Sequence, residues 1–263
     1  MKPSAWDAVA ESFDEMVLNP LAEDVSGFLR QSIIANGGKN RTAIDLGCGV
    51  GRWVPMLSKH FKSVLAVDYS SKCLEVAAKK FAKLKNVTYL QADTCSRKVD
   101  LGDGEKFDFA VACNSILDSD LKRRETMMLN LARVLRKGGV AVVVVPSLES
   151  FLYTRRLENR HGASRKNRKR KGKLLTTIEG DVSEQSFLDF LSHGIMKMDG
   201  VPTKYFLETE IRDLFRVAKM TPTSSAKIEY PWTGASYDVT NRHSANRPWD
   251  WGFLARRDGN GLA

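Results

Sequence analysis

Residues 43–51 of this chain read Ala-Ile-Asp-Leu-Gly-Cys-Gly-Val-Gly, and they restrict the fold more than any other stretch. An apolar run enters a turn in which Gly47, Gly49 and Gly51 alternate with other residues, and a helical pattern follows over about 51–59. Alternate glycines let the backbone turn sharply and approach a ligand with no side chain in between. The helix start adds N–H groups that have no partner within the helix. The spacing narrows the ligand. A nicotinamide fingerprint, G-x-G-x-x-G, would need a third glycine where Arg52 or Val54 stands. A Walker loop would need Gly-Lys-Ser/Thr after the turn, and this chain has none there. Asp45 instead lies two residues before Gly47, where a carboxylate would repel a pyrophosphate.

The hydrophobic pattern around this unit alternates between strand and helix. Residues 42–46, 63–68, 87–91, 107–113 and 140–145 read as strands, and 71–83 and 122–135 as helices. Lys137-Gly138-Gly139 reads as a helix stop. Strands separated by helices imply crossover connections and a parallel sheet covered on both faces. Upstream, Trp6, Val9, Phe13, Val17 and Leu21 recur at helical spacing, so 4–35 is expected to be helical up to the breaker cluster at 36–40. After Pro146 the alternation stops. Residues 174–179 read as a strand, 195–198 and 202–206 as a hairpin about Asp199-Gly200, 208–219 as a helix, and 226–230 and 251–255 as the last strands. The tail, 258–263, is expected to fray.

Two further acids and an amide follow the glycine turn in order. Asp68 ends the second strand 21 residues after Gly47, Asp93 follows the third strand, and Asn114 ends the fourth. With Arg133–Pro146 (RVLRKGGVAVVVVP), this order resembles the class I S-adenosylmethionine-dependent methyltransferases, well over 40–147 and more loosely over 204–220 and 249–257. The resemblance implies an α/β fold: a seven-stranded, mostly parallel Rossmann-like sheet with helices on both faces. It would be a single domain over 1–263. An N-terminal helical cap (1–38) would precede the cofactor core (40–147), an insertion with a basic loop and hairpin (148–203), and a C-terminal helix with the last strands (204–263).

The implied cofactor is S-adenosyl-L-methionine. The implied cofactor-binding residues are Asp45, Gly47, Cys48, Gly49, Gly51, Asp68, Tyr69, Ala92, Asp93, Thr94 and Asn114. Asp45 would meet the ligand's ammonium, directly or through water. Asp68 would accept the ribose hydroxyls, Asp93 would position the adenine amino group, and Asn114 would end beside the methyl group. No metal site is implied, and no catalytic base can be assigned. Methyl transfer is an in-line displacement in which positioning supplies much of the rate, so a dedicated base is optional. His60, His161, His193 and His243 are the available imidazoles. Asn114-Ser115-Ile116-Leu117 is not the Asn/Asp-Pro-Pro-Tyr/Phe pattern associated with methylation of nucleobase amines or glutamine.

The expected reaction is transfer to N or O of a small molecule. Trp6 and Phe13 either close over the cofactor or belong to the core. Tyr230, Trp232, Tyr237, Trp249 and Trp251 either pack the final strands or line an acceptor pocket. The alternative is an RNA or protein methyltransferase. The net charge of +10 is concentrated in 154–173, which holds ten Lys/Arg and one Glu and leaves the remainder at +1. That segment is a solvated loop, a nucleic-acid contact, or a nuclear localisation signal if the host has a nucleus. Cys48, Cys73, Cys95 and Cys113 lack metal-site spacing and read as reduced core residues. With no signal-like start and no apolar run near the ~20 residues of a membrane span, a cytoplasmic protein is expected.

Overall fold

The computed structural model describes residues 3–101, 104, 106–161, 190, 192–198, 201–232 and 246–259. The N-terminal region forms four short helices, α1 (Pro3–Asp7), α2 (Phe13–Met16), α3 (Pro20–Glu23) and α4 (Phe28–Asn36), rather than the long one expected. The breaks have local causes. Pro20 opens α3 with the Asn19 side chain accepting the Ala22 N–H, and Gly27 is left-handed at φ 70° just before α4.

The core then runs β1 (Gly38–Leu46), α5 (Val54–His60), β2 (Phe61–Asp68), α6 (Ser71–Lys80), β3 (Val87–Gln91), β4 (Phe107–Cys113), α7 (Leu121–Val134) and β5 (Leu135–Pro146). After it come α8 (Leu148–His161), a hairpin of β6 (Ile195–Met198) and β7 (Val201–Lys204), α9 (Glu208–Val217), β8 (Met220–Glu229) and β9 (Trp249–Arg257). Among the described residues the main sheet has seven strands in the order β3-β2-β1-β4-β5-β9-β8. The first five are mutually parallel, and β9 runs antiparallel to both β5 and β8. This is the expected α/β class.

Strand periodicity divides the core. Ala141, Val143 and Val145 of β5 face α7 and α9 through Met128, Leu131, Leu214 and Phe215. Val142 and Val144 face α4 and α5 through Leu29, Ile33 and Leu57. Over β2, Leu74 of α6 packs with Val54 and Ala66. Burial on both faces is what a parallel sheet requires, and it accounts for the unbroken valine run.

Several boundaries differ from expectation: β1 starts at Gly38, inside the expected breaker cluster, and β8 at Met220 rather than 226, and two more differ for local reasons. The glycine pair Gly138-Gly139 lies inside β5, which begins at Leu135 opposite Phe107; the pairing shifts register before Phe109, and Gly138 takes φ 74°. The chain from 148 is helical, because the Ser147 hydroxyl accepts the Ser150 N–H and caps α8. The expected strand at 174–179 lies outside the described residues, as do residues 162–173 of the basic run. No helix among the described residues is long and apolar enough to cross a membrane.

Strand order reverses direction at β1 and β4. The crevice beyond their carboxyl ends is where open α/β sheets bind ligands.

Candidate functional site

The glycine turn sits at that crevice. Gly47 and Gly49 have φ of 79° and 52°, values that side chains disfavour. Close approach adds a second reason for glycine. A Cβ on Gly47 would stand 2.4 Å from the Ser115 Cβ, and one on Gly49 would stand 3.0 Å from the Phe13 ring. The turn is tied to the end of β2, since the Gly47 and Cys48 N–H groups both donate to the Val67 carbonyl at 2.8 and 2.9 Å.

Asp45, at the end of β1, is 1% exposed, and its Oδ2 has no hydrogen-bond partner among the described residues. Burial, with the nearby Asp68 charge, pushes its carboxyl up to about 8. A buried carboxylate without donors is costly, and its chemical complement is a cationic N–H donor. An S-adenosylmethionine ammonium group meets that requirement.

Asp68 is buried beside it. Its Oδ2 accepts the Gly49 N–H at 2.8 Å and its Oδ1 accepts the Ser70 N–H at 2.9 Å. Burial raises this carboxyl, and the backbone donors oppose that rise. A carboxylate can accept about four hydrogen bonds, so acceptor capacity remains for ribose hydroxyls. Tyr69 and Ala92 flank it: the Tyr69 carbonyl accepts from Gln91 Nε2 at 3.2 Å, and the Ala92 N–H donates to the Asp68 carbonyl at 2.9 Å. Burial pushes the Tyr69 phenol and the Cys48 thiol up.

Asp93 accepts the Cys95 N–H at 2.9 Å and pairs with Arg123 of α7 at 3.2 Å. Arg123 also holds Asp118 at 2.8 Å. Thr94 is buried, with its carbonyl taking the Asn130 side chain at 2.8 Å. Asn114 has a positive φ of 48° and donates through Nδ2 to Asp250 at 3.1 Å, while its buried Oδ1 has no partner among the described residues. Every expected cofactor position therefore lies at the carboxyl ends of β1 to β4 or, for Gly51, at the entrance to α5, where it packs against Ala77 of α6.

Several polar partners carry no sequence motif. Arg52, just after the glycine turn, reaches back to the N-terminal segment. It donates to the Leu18 carbonyl at 2.7 Å and the Phe13 carbonyl at 2.8 Å, and pairs with Asp14 at 2.9 Å, with its guanidinium 4.9 Å from the Phe13 ring centroid. Lys80 also pairs with Asp14. Phe13 thus covers Gly49, and Trp6 stands 5.9 Å from Phe13. A cation just before a helix start opposes the helix dipole, and that was the readable signal that Arg52 is engaged elsewhere.

The second group is Tyr230 and Asp250, in which the Tyr230 hydroxyl donates to the Asp250 carboxylate at 2.8 Å. Of the other aromatics, Trp232 donates to the Asn246 carbonyl and Trp251 to Glu149, both at 3.1 Å. Lys227 sits 3.9 Å from the Trp249 ring centroid. His60 closes α5, and His193 is exposed with its carbonyl held by Lys204. Tyr237, His243 and the His161 side chain lie outside the described residues.

Comparison with known proteins agrees with this architecture. Residues 43–139 match the family model described as a methyltransferase domain. Phosphoethanolamine N-methyltransferase 1 of Caenorhabditis elegans is 28% identical over 101 residues, which is 37% of this chain but only 21% of that protein's length. A solved S-adenosylmethionine-dependent methyltransferase from Anabaena variabilis superposes with a TM-score of 0.65 at 16% identity, covering 97% of this chain and 94% of that one. The 1,6-didemethyltoxoflavin-N1-methyltransferase of Burkholderia thailandensis, solved with its substrate and S-adenosylhomocysteine, gives 0.61 at 15% identity, with 97% and 87% covered. The N-methyltransferase NodS of Bradyrhizobium japonicum, with S-adenosylhomocysteine, gives 0.57 at 13%, with 95% and 98% covered. The methyltransferase-domain match falls on the same strands that carry the glycine turn and its acids, and over nearly the whole chain the fold is that of solved S-adenosylmethionine-dependent methyltransferases.

Proposed function

We propose that this chain binds S-adenosylmethionine across the carboxyl ends of β1 to β4 and passes its methyl group directly to N or O of a small molecule. The carrying observation is the buried Asp45 carboxyl, whose Oδ2 has no hydrogen-bond partner among the described residues, beside a glycine turn whose Gly47 and Gly49 Cβ positions are already filled by Ser115 and Phe13.

In this reading Asp45 receives the ammonium group, Asp68 the ribose hydroxyls and Asp93 the adenine amino group. Cys48, Tyr69, Ala92 and Thr94 line the same groove. When bound, the cofactor supplies an electrophilic methyl group on a sulfonium. The protein's contribution is to orient the partners and exclude water. Phe13 and Trp6, held down through Arg52, provide a cover suited to that task. A small acceptor is supported by the names of the relatives above, three of which are N-methyltransferases.

The test is a transfer assay with labelled methyl donor against metabolite amines and hydroxyls and, in parallel, bulk RNA and protein. Label in small molecules, unaffected by deleting 160–172, is the expected result. Label confined to RNA or protein, and lost with that deletion, would move the assignment to a macromolecular substrate gripped by 154–173.

A further inference from the structure

One of the expected cofactor positions, Asn114, carries a side-chain oxygen to which no cofactor atom has been assigned. Asn114 follows β4 with its backbone in the left-handed region, tied by its N–H to the Val144 carbonyl at 2.9 Å. On one side its neighbour Ser115 occupies the space a Gly47 side chain would fill. On the other side stands Asp250, at the start of β9 opposite Pro146. Asn114 therefore lies between the cofactor turn and the antiparallel extension of the sheet, where a methyl acceptor must meet the cofactor.

Its amide has only one orientation. Asp250 Oδ2 accepts from Asn114 Nδ2 at 3.1 Å and from the fully buried Tyr230 hydroxyl at 2.8 Å. Burial lifts Asp250 to about 6, against the donors Asn114, Tyr230 and the Ser147 N–H, and the two side-chain donors converging on Oδ2 use it as an acceptor. Asn114 must turn its NH2 toward Asp250, and its Oδ1 then faces away, buried and partnerless among the described residues. A left-handed non-glycine residue with a clamped side chain is strain of the kind that positions functional groups.

We infer that Asn114 Oδ1 is the hydrogen-bond acceptor for the N–H or O–H of the methyl acceptor, with Asp250 and Tyr230 as positioning residues that fix its amide. This rests on the cofactor reading above. It limits the substrate to hydrogen-bearing nucleophiles, meaning primary or secondary amines and hydroxyls, and disfavours tertiary amines and thioethers. An amide oxygen is not a base at neutral pH, so Asn114 only orients the hydrogen and turns the lone pair toward the cofactor; a neutral amine leaves as the methylated ammonium, and a hydroxyl gives up its proton to solvent water as the C–O bond forms and the C–S bond breaks.

The experiment needs no knowledge of the acceptor. Titration calorimetry on the full chain compares S-adenosylhomocysteine with sinefungin, in which an aminated carbon takes the place of the methylated sulfonium. A hydrogen bond to a charged donor predicts that sinefungin binds about tenfold more tightly than S-adenosylhomocysteine. Asp250→Asn should erase most of that preference and Tyr230→Phe should reduce it about threefold, both retaining S-adenosylhomocysteine binding, and Asn114→Ala should weaken sinefungin about tenfold more than it weakens S-adenosylhomocysteine. A merely structural network would weaken both ligands together and leave their ratio unchanged, which would overturn the inference, as would an unchanged ratio in Tyr230→Phe if the other variants fail to fold. Absence of S-adenosylhomocysteine binding by the unaltered chain would instead overturn the cofactor reading beneath it.

Discussion

At the β1–β2 edge of the crevice, polar contacts join near neighbours in sequence: Gly49 to Asp68 spans 19 residues and Asp68 to Ser70 spans two. At the β4–β9 edge they join distant ones: Asn114 to Asp250 spans 136, Trp249 to Ser150 spans 99 and Trp251 to Glu149 spans 102. The first edge is built mostly from backbone groups and carboxylates, whereas every one of these contacts at the second needs a side chain from a remote segment. A ligand held by backbone fixes glycine spacing and strand-end acids, and so leaves a motif. A ligand held by side chains from remote segments leaves none.

The largest effect should come from the local edge. Gly47→Ala forces a Cβ into Ser115 at a positive φ. It should abolish detectable S-adenosylhomocysteine binding in calorimetry and lower unfolding stability by roughly 1–3 kcal/mol. Adding Ser115→Gly should recover part of the stability; no recovery would mean the collision is not the cause. Asp68→Ala comes next. It removes the acceptor of two buried N–H groups and should weaken S-adenosylhomocysteine about a hundredfold or more. Unchanged affinity would remove Asp68 from the cofactor site.

A third expectation concerns pH. Asp45, raised to about 8 in the folded chain, stays protonated where the unfolded chain is already ionised. It therefore favours the folded state at low pH, and that contribution is lost as pH rises toward 8. Binding an ammonium reverses the preference and expels the proton. S-adenosylhomocysteine affinity should thus rise with pH by up to tenfold per unit toward 8, then fall as the ligand's own α-amino group loses its proton near about 8. The neighbouring Asp68, also raised, acts in the same direction, whereas the Cys48 thiol, pushed well up by burial, stays neutral throughout. Calorimetry in buffers of different ionisation enthalpy would count the proton released, and a flat profile would show that Asp45 does not meet the ammonium.

Smaller changes sharpen the contrast further. Arg52→Ala releases the Phe13 and Leu18 carbonyls and Asp14. It should raise the S-adenosylhomocysteine dissociation rate about tenfold and expose residues 3–23 to proteolysis, with Arg52→Lys giving little rescue because one ammonium cannot reproduce the fork. Equal dissociation rates would free the cover from any gating role. At the remote edge, Ser150→Ala leaves the buried Trp249 N–H without its acceptor. It should cost about 1–3 kcal/mol in thermal unfolding and change S-adenosylhomocysteine affinity less than twofold. A large affinity loss there would mean the two edges are not separable.

The same distinction explains what could be read from the chain. The five parallel strands, the hairpin about 199–200 and the positions of Asp45, Asp68, Asp93 and Asn114 follow from periodicity and local order. The broken N-terminal helix does not. Its apolar spacing satisfies a single long helix, and only Pro20 and Gly27 signal the breaks. Strand β5 was expected to start at 140 because Gly138-Gly139 reads as a stop, while pairing with Phe107 extends it to Leu135. The cap by Ser147 was present in the sequence but was obscured by the basic run beyond it. Asp250, Tyr230 and Arg123 carried no periodic signal, since their partners come from other elements.

Two of Arg52's three polar contacts end on main-chain oxygens, and every residue type has one. The grip on the N-terminal segment therefore depends on one side chain at 52 and hardly at all on the identity of residue 18. A side-chain change at 18 should therefore leave the clasp fastened, whereas one at 13 or 14 takes a ring contact or an ion pair away with it.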